Sequence, residues 1–594
     1  MWNKRNKELT AFFVTSLVVL CSITLFLSSR HFVNQEVTPK WFGLIAGVAL
    51  TGIICSLLQR KVYLPAKSLF LLIFVSCCLI FFRSWVVSGF SSYLLTRTVC
   101  FILLFFVLQQ AIPVLPARYL FGVFTLLATV LVFHGLLQYA GVFHSANSFR
   151  ITGNFDNPAG FAVALTCVFP YVFYFFKNSR RTVRYIAALT VFVVFFTAIL
   201  SGSRAAIVAC IIVSVYFLFS EYSRLKLKKT LKILLVCVAI AIITGLYSMK
   251  KDSADGRLLI WQTTWNMIKD KPLAGHGYGA FNAQYMLYQA EYFDANPDSR
   301  YSELADNVLH PFNEYLLVLS EHGIVGLGII VVLGLFVVRS YCRKPDCTKF
   351  IALMSLLSLA IFSCFSYPFK YPFSWITICL NLVIICPATE ISSRSRVYLI
   401  EALMSAVASG LLFTGIILTK AEIKWNTIAH QSLAGKTTKV LPEYDKLYAY
   451  LNRNGLFLYN HAAELHEVKE YEKSLRVFDL CLKYYNDMDV QMLLADNYKE
   501  SGRNDEAEKH LKLAAAMCPN RFMPLYRLVL LYKETNRNEE ALALAQRIVD
   551  KKVKIPSSTV NAIKNKMLQL IENSQTEKVM PVSESRTNVE PLNL

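Results

Sequence analysis

The chain has 594 residues, of which 55% are hydrophobic and 17% are charged, and its mean hydropathy is +0.43. Soluble proteins carry about a quarter charged residues, so this composition excludes an ordinary soluble domain and indicates an integral membrane protein. The net charge of +21 does not indicate nucleic-acid binding, because the lysines and arginines gather in short loops between apolar runs.

Apolar runs of about 17 to 25 residues are long enough to cross the hydrocarbon core of a bilayer, which is roughly 30 Å thick. The sequence predicts about thirteen such transmembrane helices, near residues 10–29, 41–58, 68–88, 94–112, 118–140, 158–176, 184–200, 204–220, 230–248, 315–338, 348–366, 372–388 and 398–419. The first run follows basic residues, as in a signal peptide, but residues 26–29 offer no good A-x-A-like cleavage site, so we expect it to be retained.

Lysine and arginine concentrate at the N-terminus and in every second loop between the apolar runs. By the positive-inside rule, this places the N-terminus in the cytoplasm. With an odd number of spans, the polar segment at 249–314 and the chain after residue 420 both lie on the opposite, periplasmic side. A miscount of one helix would change the predicted side of the tail.

Most of the 15 cysteines lie within apolar runs, where a cysteine acts as a small buried hydrophobe. Cys342 and Cys347 lie in a basic loop without neighbouring histidines. The spacing of the cysteines is typical neither of a metal site nor of a disulfide framework. We therefore expect no metal ion and no cofactor.

The polar segment is the long water-facing interruption of the apolar sequence, so we expect the chemistry there. Arg257, Trp261 and Trp265 are four residues apart, which places them on one face of a predicted helix. Tryptophans favour the membrane interface, and an arginine beside them is suited to binding a lipid phosphate. The alternative is an amphipathic helix that rests on the headgroups. Pro272 ends this helix, and the glycines at 275–279 predict a tight turn rather than a dinucleotide site.

Two short loops on the same predicted side also carry polar residues. Asn157 precedes Pro158 at the start of an apolar run, so helix capping explains it and a ligand role is the alternative. Arg204 stands at the mouth of another apolar run, where it is either a snorkelling interface residue or a functional group. Two arginines at a membrane interface indicate a ligand that carries phosphates on a lipid.

The chain after residue 420 is charged and amphipathic, and it contains an internal repeat. The pattern that begins at Tyr498 recurs from Tyr532, a shift of 34 residues, and a weaker copy lies near Tyr471. This period resembles that of tetratricopeptide repeats, which stack helical hairpins into protein-binding scaffolds. An ordinary helical bundle is the alternative. Residues 573–594 are polar and are predicted to be disordered.

Several motifs together resemble the bacterial O-antigen ligase and polymerase superfamily, which also includes protein O-oligosaccharyltransferases. In chain order they are Gly153-Asn-Phe-Asp-Asn-Pro, Ser201-Gly-Ser-Arg204, Arg257-x-x-x-Trp261 running into Pro272-Leu-Ala-Gly275-His-Gly-Tyr-Gly279, Asn313-Glu-Tyr-Leu, and Glu321-His-Gly323-Ile-Val-Gly326. The resemblance covers residues 150–330. It implies transfer of a whole glycan from a polyprenyl diphosphate at the periplasmic face, without a metal ion or a nucleotide sugar.

The resemblance also implies roles for single residues. Arg204 and Arg257 match the family arginines thought to hold the donor diphosphate, and they are the expected catalytic cations. The further substrate-binding residues that we expect are Trp261, Asn157 and Asn313.

The catalytic histidine of the family is replaced in this chain. The family pattern is His, then Asn, Ser or Gln, nine residues, Gly, two residues and Gly, and it fits the residues from Asn313 to Gly326, but Phe312 precedes Asn313. His310 lies two residues upstream, and we expect it to accept the proton of the acceptor hydroxyl. The alternatives are a structural His310 and catalysis by diphosphate stabilisation alone, with a carboxylate as base. The candidate carboxylates are Asp306, Glu303 and Glu314.

The predicted fold is an all-α, polytopic membrane helix bundle with a C-terminal soluble α-solenoid. The predicted divisions are transmembrane helices at 1–248, a large periplasmic loop at 249–314, transmembrane helices at 315–419, a tetratricopeptide-like domain at 420–572 and a disordered tail at 573–594. We expect a multi-pass protein of the bacterial inner membrane.

The leading interpretation is a metal-independent glycosyltransferase with an undecaprenyl-diphosphate-linked glycan as donor. The acceptor is lipid A-core, which is the family default, another glycan repeat unit, or a protein. Membrane lipid and a protein bound through the repeat domain are the expected partners, and nucleic acid is not. The alternatives are a flippase for lipid-linked glycan, which predicts charged or discontinuous helices in mid-membrane, and an inactive scaffold.

Overall fold

The computed structural model describes residues 4–58, 61–88, 91–145, 149–222, 251–386 and 388–579, together with residue 245. Helices dominate the described residues, which also contain one antiparallel pair of strands, β1 Tyr63–Pro65 and β2 Ala388–Glu390. The chain divides into two compact units. The first unit contains Met1–Phe281 and Leu309–Phe457, and the second contains Asn282–Val308 and Leu458–Leu594.

The helices are numbered in chain order, and α10 begins in the first unit and continues in the second. Those up to residue 451 are α1 Lys4–Phe26, α2 Thr38–Leu58, α3 Lys67–Ser88, α4 Ser92–Ala111, α5 Ala117–Tyr139, α6 Pro158–Asn178, α7 Arg181–Leu200, α8 Arg204–Tyr222, α9 Lys251–Asp270, α10 Ala280–Ala295, α11 Glu314–Arg343, α12 Cys347–Ser363, α13 Pro372–Ile385, α14 Arg394–Gln431 and α15 Thr437–Leu451. A short 3-10 turn, Pro368–Lys370, precedes α13.

Nine helices in the described part of the chain are long and apolar enough to cross a membrane. They are α1 to α7, α11 and the helix that begins at Arg394. Three shorter apolar helices coincide with three further predicted spans: Arg204–Ser220, Cys347–Ser363 and Pro372–Ile385. Apart from residue 245, the predicted span at 230–248 lies outside the described residues. The all-α polytopic membrane fold is confirmed, and the exact number of spans stays a prediction.

Helix α6 forms the centre of the first unit. Every residue at 160–173 is buried, and α5, α7, α8, α12 and α13 pack around it. A helix that is apolar on all sides is expected in such a place. The Tyr171 hydroxyl donates to Asn381 Oδ1 (3.0 Å), and the Asn381 amide donates to Ser355 Oγ (3.0 Å). These side-chain bonds connect α6 to α13 and α13 to α12.

Helix α11 is broken at Gly323, whose φ of 63° and ψ of −161° are not helical. The loop at 272–277 crosses the break and supplies replacement hydrogen bonds. Four backbone bonds of 2.8 to 3.2 Å join the two segments, written donor first: His276 to Ser320, Gly277 to Glu321, Ile324 to Pro272 and Val325 to Leu273. We call this pairing of 272–277 with 320–325 the clasp. It shows that two of the sequence motifs interlock through their backbones.

Helix α14 extends well beyond the predicted span at 398–419. It packs against α2 and α4, and its Glu422 accepts a hydrogen bond from the Tyr93 hydroxyl (2.6 Å). A π turn at Ser432–Lys436 then leads into α15. The sequence assigned residues 420–457 to the repeat domain, whereas in the structure they belong to the first unit.

The second unit is a series of helical hairpins, and from Tyr471 onward each helix packs on the next. Its helices after α10 are the main part of α16 Gly455–Glu467, then α17 Tyr471–Cys481, α18 Met488–Glu500, α19 Asn504–Met517, α20 Met523–Glu534, α21 Asn538–Asp550 and α22 Ser558–Val579. The turns between helices share a left-handed backbone conformation at Lys469, Gly502 and Asn536, with φ of 64°, 76° and 59°. These turns are 33 and 34 residues apart, and the tetratricopeptide-like repeat stays a prediction.

The second unit also contains residues 282–308 of the polar segment. Gln289 of α10 is fully buried and donates to the carbonyls of Asp306 (3.1 Å) and Met517 (2.7 Å). Arg521 forms an ion pair of 2.7 Å with Asp306. The segment that the sequence presents as one loop at 249–314 thus contributes residues to both units.

Candidate active site

Five segments of the first unit bring polar and aromatic side chains together. They are the loop before α6, the start of α8, helix α9, the loop before α11 and the loop at 365–371 between α12 and α13. The sequence-predicted residues come from four of these segments: Asn157, Arg204, Arg257 with Trp261, and His310. The fifth segment was not predicted to take part.

Arg257 and Arg204 lie near each other. Arg257 Nη1 donates to the carbonyl of Phe365 (2.9 Å), and Arg204 Nη2 donates to Ser253 Oγ (3.0 Å), four residues before Arg257 on α9. Burial lowers the pKa of Arg257 to about 10, and the positive charge of Arg204 contributes to this shift, whereas Tyr367 opposes it. Two like charges in a partly buried place repel each other, and a bound anion relieves this repulsion.

The loop before α11 is held by α9. Trp261 Nε1 donates to the carbonyl of Pro311 (2.9 Å), whereas Trp265 is 50% exposed. Phe312 has a φ of +54°, a left-handed conformation that a bulky side chain adopts only under constraint. Asn313 Oδ1 caps α11 by accepting from the amides of residues 315 and 316 (3.0 and 3.1 Å). The oxygen of Asn313 therefore has a structural use beside any role in binding.

His310 stacks on Tyr367, with ring centroids 4.6 Å apart and an interplanar angle of 19°. Burial and the positive charge of Lys370 lower the pKa of His310 to about 4, while Asp156 opposes the shift. The imidazole is therefore neutral at pH 7 and has a lone pair with which to accept a proton.

The loop at 365–371 supplies the residues that sequence reasoning missed. Lys370 Nζ forms an ion pair with Asp156 Oδ2 (2.6 Å), and the Tyr371 hydroxyl donates to Asp156 Oδ1 (2.9 Å). The Tyr371 hydroxyl also lies 3.2 Å from Asn157 Oδ1. The signal in the sequence was weak: one lysine and two Tyr-Pro pairs in a short loop on the predicted periplasmic side.

Asn157 caps α6, as the capping interpretation predicted. Its Oδ1 accepts from the amides of Ala159 (2.8 Å) and Gly160 (3.3 Å). Its side chain also contributes a hydrogen bond to Tyr367. Asn157 thus joins the start of α6 to the loop at 365–371.

The three carboxylates considered as alternative bases have structural partners. Glu303 and Asp306 form ion pairs inside the second unit, with Lys552 (2.8 Å) and Arg521 (2.7 Å). Glu314 is buried in the first unit and accepts from the amide of Phe369 (3.2 Å). Among the described residues, no group of three or more His, Cys, Asp or Glu side chains is arranged to hold a metal ion.

One family of known proteins matches part of the chain. Residues 189–331 match the O-antigen ligase family, and no curated protein matches the chain. The matched region includes Arg204, Arg257, Trp261, His310 and Asn313. The loop before α6 and the loop at 365–371 lie outside it. The match supports a glycosyltransferase-like function of the O-antigen ligase and polymerase type.

Proposed function

We propose that this chain, which carries an O-antigen ligase domain at residues 189–331, transfers a glycan from a polyprenyl-diphosphate carrier to an acceptor hydroxyl at the periplasmic face of the inner membrane. The observation that carries the proposal is the pair of neighbouring cations, Arg204 and Arg257, together with the contact of both Arg257 and His310 with the loop at 365–371. The cations suit a diphosphate, and the imidazole suits a hydroxyl proton.

The reaction is a displacement at the anomeric carbon of the glycan. The acceptor oxygen forms a bond to this carbon, the bond from the carbon to the diphosphate oxygen breaks, and the polyprenyl diphosphate leaves with the bonding electrons. The hydroxyl proton passes to a ring nitrogen of His310. Attack from the face opposite the diphosphate inverts the configuration of the carbon.

Arg204 and Arg257 stabilise the charge that grows on the departing diphosphate. Hydrogen bonds between an arginine and a phosphate are charge-assisted and can be bidentate, so they strengthen as the negative charge rises. Trp261 orients the site through its bond to the carbonyl of Pro311, next to His310. Because the two guanidinium groups supply the positive charge, the proposed mechanism includes no metal ion and no cofactor.

Donor binding also prepares His310 for its role. In the free protein burial and the positive charge of Lys370 keep the pKa of His310 at about 4, which makes it a weak base. A bound diphosphate adds negative charge nearby and raises this pKa. The base therefore becomes stronger when the donor is in place.

The acceptor is lipid A-core, a further glycan repeat unit, or a protein hydroxyl. Lipid A-core is the default for an O-antigen ligase. The hairpin repeats of the second unit support a protein partner, because stacked helical hairpins present extended binding surfaces. Membrane lipid surrounds the apolar helices of the first unit.

A flippase for lipid-linked glycan is the second candidate, and one observation favours it. Helix α11 is broken at Gly323, and the carboxyl groups of Glu314 and Glu321 are buried, as in transporters with discontinuous helices. The clasp, however, satisfies the backbone groups at this break with four hydrogen bonds. This arrangement supports a structural break more than a transport site.

The test uses purified protein in proteoliposomes with a defined lipid-linked glycan donor and separate assays for glycan transfer and for donor translocation. Transfer that Arg257→Ala lowers by roughly 100-fold or more, the loss typical of a transition-state cation, supports the proposal. Lys269→Ala, on the exposed end of the same helix, is the matched control and is expected to transfer at the wild-type rate.

Three other outcomes separate the rivals. Donor translocation without transfer identifies a flippase, and neither activity identifies a scaffold. Transfer that is lost in Arg257→Ala but intact in His310→Ala keeps the glycosyltransferase and removes His310 as its base. Assays with lipid A-core, lipid-linked repeat units and unglycosylated periplasmic protein identify the acceptor.

A further inference from the structure

The loop at 365–371 lies outside the matched family region, and it contacts both the proposed base, His310, and the proposed diphosphate ligand Arg257. We propose that Tyr367 in this loop is a positioning residue for His310, and that the ion pair of Lys370 with Asp156 holds Tyr367 in place. This inference rests on the proposed function, because it assumes that His310 accepts a proton during transfer.

Tyr367 contacts two of the three residues from 310 to 312. Its ring stacks on His310 with centroids 4.6 Å apart, and the Phe312 ring meets it edge-on at 5.3 Å with an interplanar angle of 67°. Stacked and edge-to-face contacts between rings are directional, so they restrict the tilt of the imidazole more than an aliphatic side chain would. Tyr367 thus sets the plane in which the His310 nitrogens lie.

The same loop contacts the donor-binding cation. Arg257 donates to the carbonyl of Phe365, two residues before Tyr367, and its guanidinium lies over the Phe312 ring at 5.1 Å. The proposed base and a proposed diphosphate ligand are therefore placed against one short segment. A displacement of this segment changes the position of the proton acceptor relative to the leaving group.

The loop is fixed by the residues around it. Lys370 Nζ bonds to Asp156, Tyr371 bonds to the same carboxylate, and Trp41 Nε1 donates to the Lys370 carbonyl (3.0 Å). The side chains of Lys370 and Asp156 are only 23% and 21% exposed, so the pair is partly desolvated and removal of either partner leaves the other poorly satisfied. These contacts give the Tyr367 ring a defined position.

Tyr367 does not itself serve as the base. Burial and, next, the Asp156 carboxylate raise the pKa of Tyr367 to about 12, so its hydroxyl keeps the proton at neutral pH. A protonated phenol donates a hydrogen bond and does not accept the acceptor's proton. The role that the geometry gives Tyr367 is to orient His310.

The central comparison is Tyr367→Phe against Tyr367→Leu. Phenylalanine keeps the stacked ring, so its kcat is expected to stay within about threefold of the wild type, whereas leucine loses the ring and its kcat is expected to fall roughly 10- to 100-fold, the effect of a small misplacement of a reacting group. The KM for the donor is expected to change less than about twofold in both variants, because Arg204 and Arg257 remain. Tyr367→Met is a second non-aromatic variant in case the leucine protein does not fold.

A double-mutant cycle with His310 completes the test. In a His310→Ala background, Tyr367→Leu is expected to cause no further loss of transfer, since the group that it positions is absent. Lys370→Met and Asp156→Asn are each expected to lower kcat, and the double variant is expected to be no worse than the more severe single variant. Each protein is first checked for wild-type donor binding and a single monodisperse peak in detergent.

Three results would overturn the inference: equal kcat in Tyr367→Phe and Tyr367→Leu, additive losses of Tyr367→Leu and His310→Ala, or full transfer by His310→Ala. These failures differ from a failure of the proposed function, which requires that the wild-type protein transfers no glycan at all.

Discussion

The guanidinium carbon of Arg257 lies 5.1 Å from the centroid of the Phe312 ring, close enough for a cation–π interaction. Phe312 occupies the place where the family pattern has its catalytic histidine. In this chain the residue there supports the cation that we assign to the donor diphosphate. The proposed mechanism assigns proton transfer to His310, two residues earlier.

Replacement of Phe312 by alanine is expected to weaken donor binding. A partly buried cation–π contact contributes roughly 0.5 to 2 kcal/mol, so the Kd of the donor is expected to rise about 2- to 30-fold. Phe312→Tyr keeps an aromatic face and is expected to bind the donor like the wild type. Titration of both variants with lipid-linked donor checks this, and an unchanged Kd in Phe312→Ala would contradict the contact's role.

The pH dependence of kcat/KM is expected to reflect the low pKa of His310. Because the base must be unprotonated, and its pKa in the free protein is about 4, kcat/KM is expected to stay level from pH 8 to about pH 5 and to fall only below that. An imidazole with an ordinary pKa of about 6.5 would lose activity below pH 6.5.

Two charged residues near His310 determine in which direction a substitution shifts the pH dependence of kcat/KM. Lys370 lowers the pKa of His310 and Asp156 raises it, while the Tyr367 ring against it is uncharged at these pH values. Lys370→Met is therefore expected to move the acid limb of kcat/KM to higher pH, and Asp156→Asn to lower pH. Steady-state kinetics between pH 4 and 8 measure the limb, and a shift in the opposite sense would rule out this electrostatic account.

Gly275 and Gly323 lie where the two segments of the clasp cross, and we expect neither position to accommodate a side chain. A Cβ on Gly275 would lie 2.3 Å from the carbonyl carbon of Glu321, and a Cβ on Gly323 would lie 2.3 Å from the carbonyl oxygen of Leu273. Both positions also have positive φ. We expect Gly275→Ala and Gly323→Ala each to destabilise the protein by at least about 2 kcal/mol, since backbone atoms cannot give way as a flexible side chain can.

The matched control for the clasp is Gly328→Ala, farther along α11. A Cβ there meets no atom within 4 Å, and alanine favours a helix more than glycine does. Thermal unfolding of the detergent-solubilised proteins is expected to show a lower Tm for the two clasp variants and an unchanged or higher Tm for Gly328→Ala. Equal Tm values in all three would show that the crossing relaxes at little cost.

The tail is expected on the same side of the membrane as the polar segment. Residues 282–308 lie between α9 and α11, and they form one compact unit with residues 458–579. A unit built from both stretches forms only where both are present. Alkaline phosphatase fused after the C-terminus is expected to be active, because this enzyme works only outside the cytoplasm, and a fusion after residue 222 is expected to be inactive. Reversed activities would contradict the orientation.

Sequence patterns sufficed for the parts of the fold that depend on local chemistry. Apolar runs predicted the membrane helices, and the capping of α6 by Asn157 followed from its position before Pro158. The break at Gly323 was not predicted, because the apolar run continues through it. The residues that hydrogen-bond to the broken turn, 272–277, lie in a separate segment of the sequence. Contacts between residues that are far apart in the sequence could not be predicted from local patterns. Asp156 and Lys370, for example, are 214 positions apart.

The division of the polar segment between two units could also not be predicted from sequence patterns. Helix α10 follows a glycine-rich turn inside a stretch that reads as one loop. Its place in the second unit depends on tertiary bonds such as that from Gln289 to the Met517 carbonyl. Only the folded chain reveals that pairing.

The composition of the second unit sets an order of events during synthesis. Residues 282–308 leave the ribosome about 150 residues before residue 458, an interval of roughly 8 to 30 s at typical elongation rates. During this time Gln289 has already been made, whereas the Met517 carbonyl to which it donates has not. The first segment of this unit must therefore remain incompletely folded until the rest of the unit has been made. Nascent chains that stop before residue 458 expose a segment that quality-control proteases can recognise.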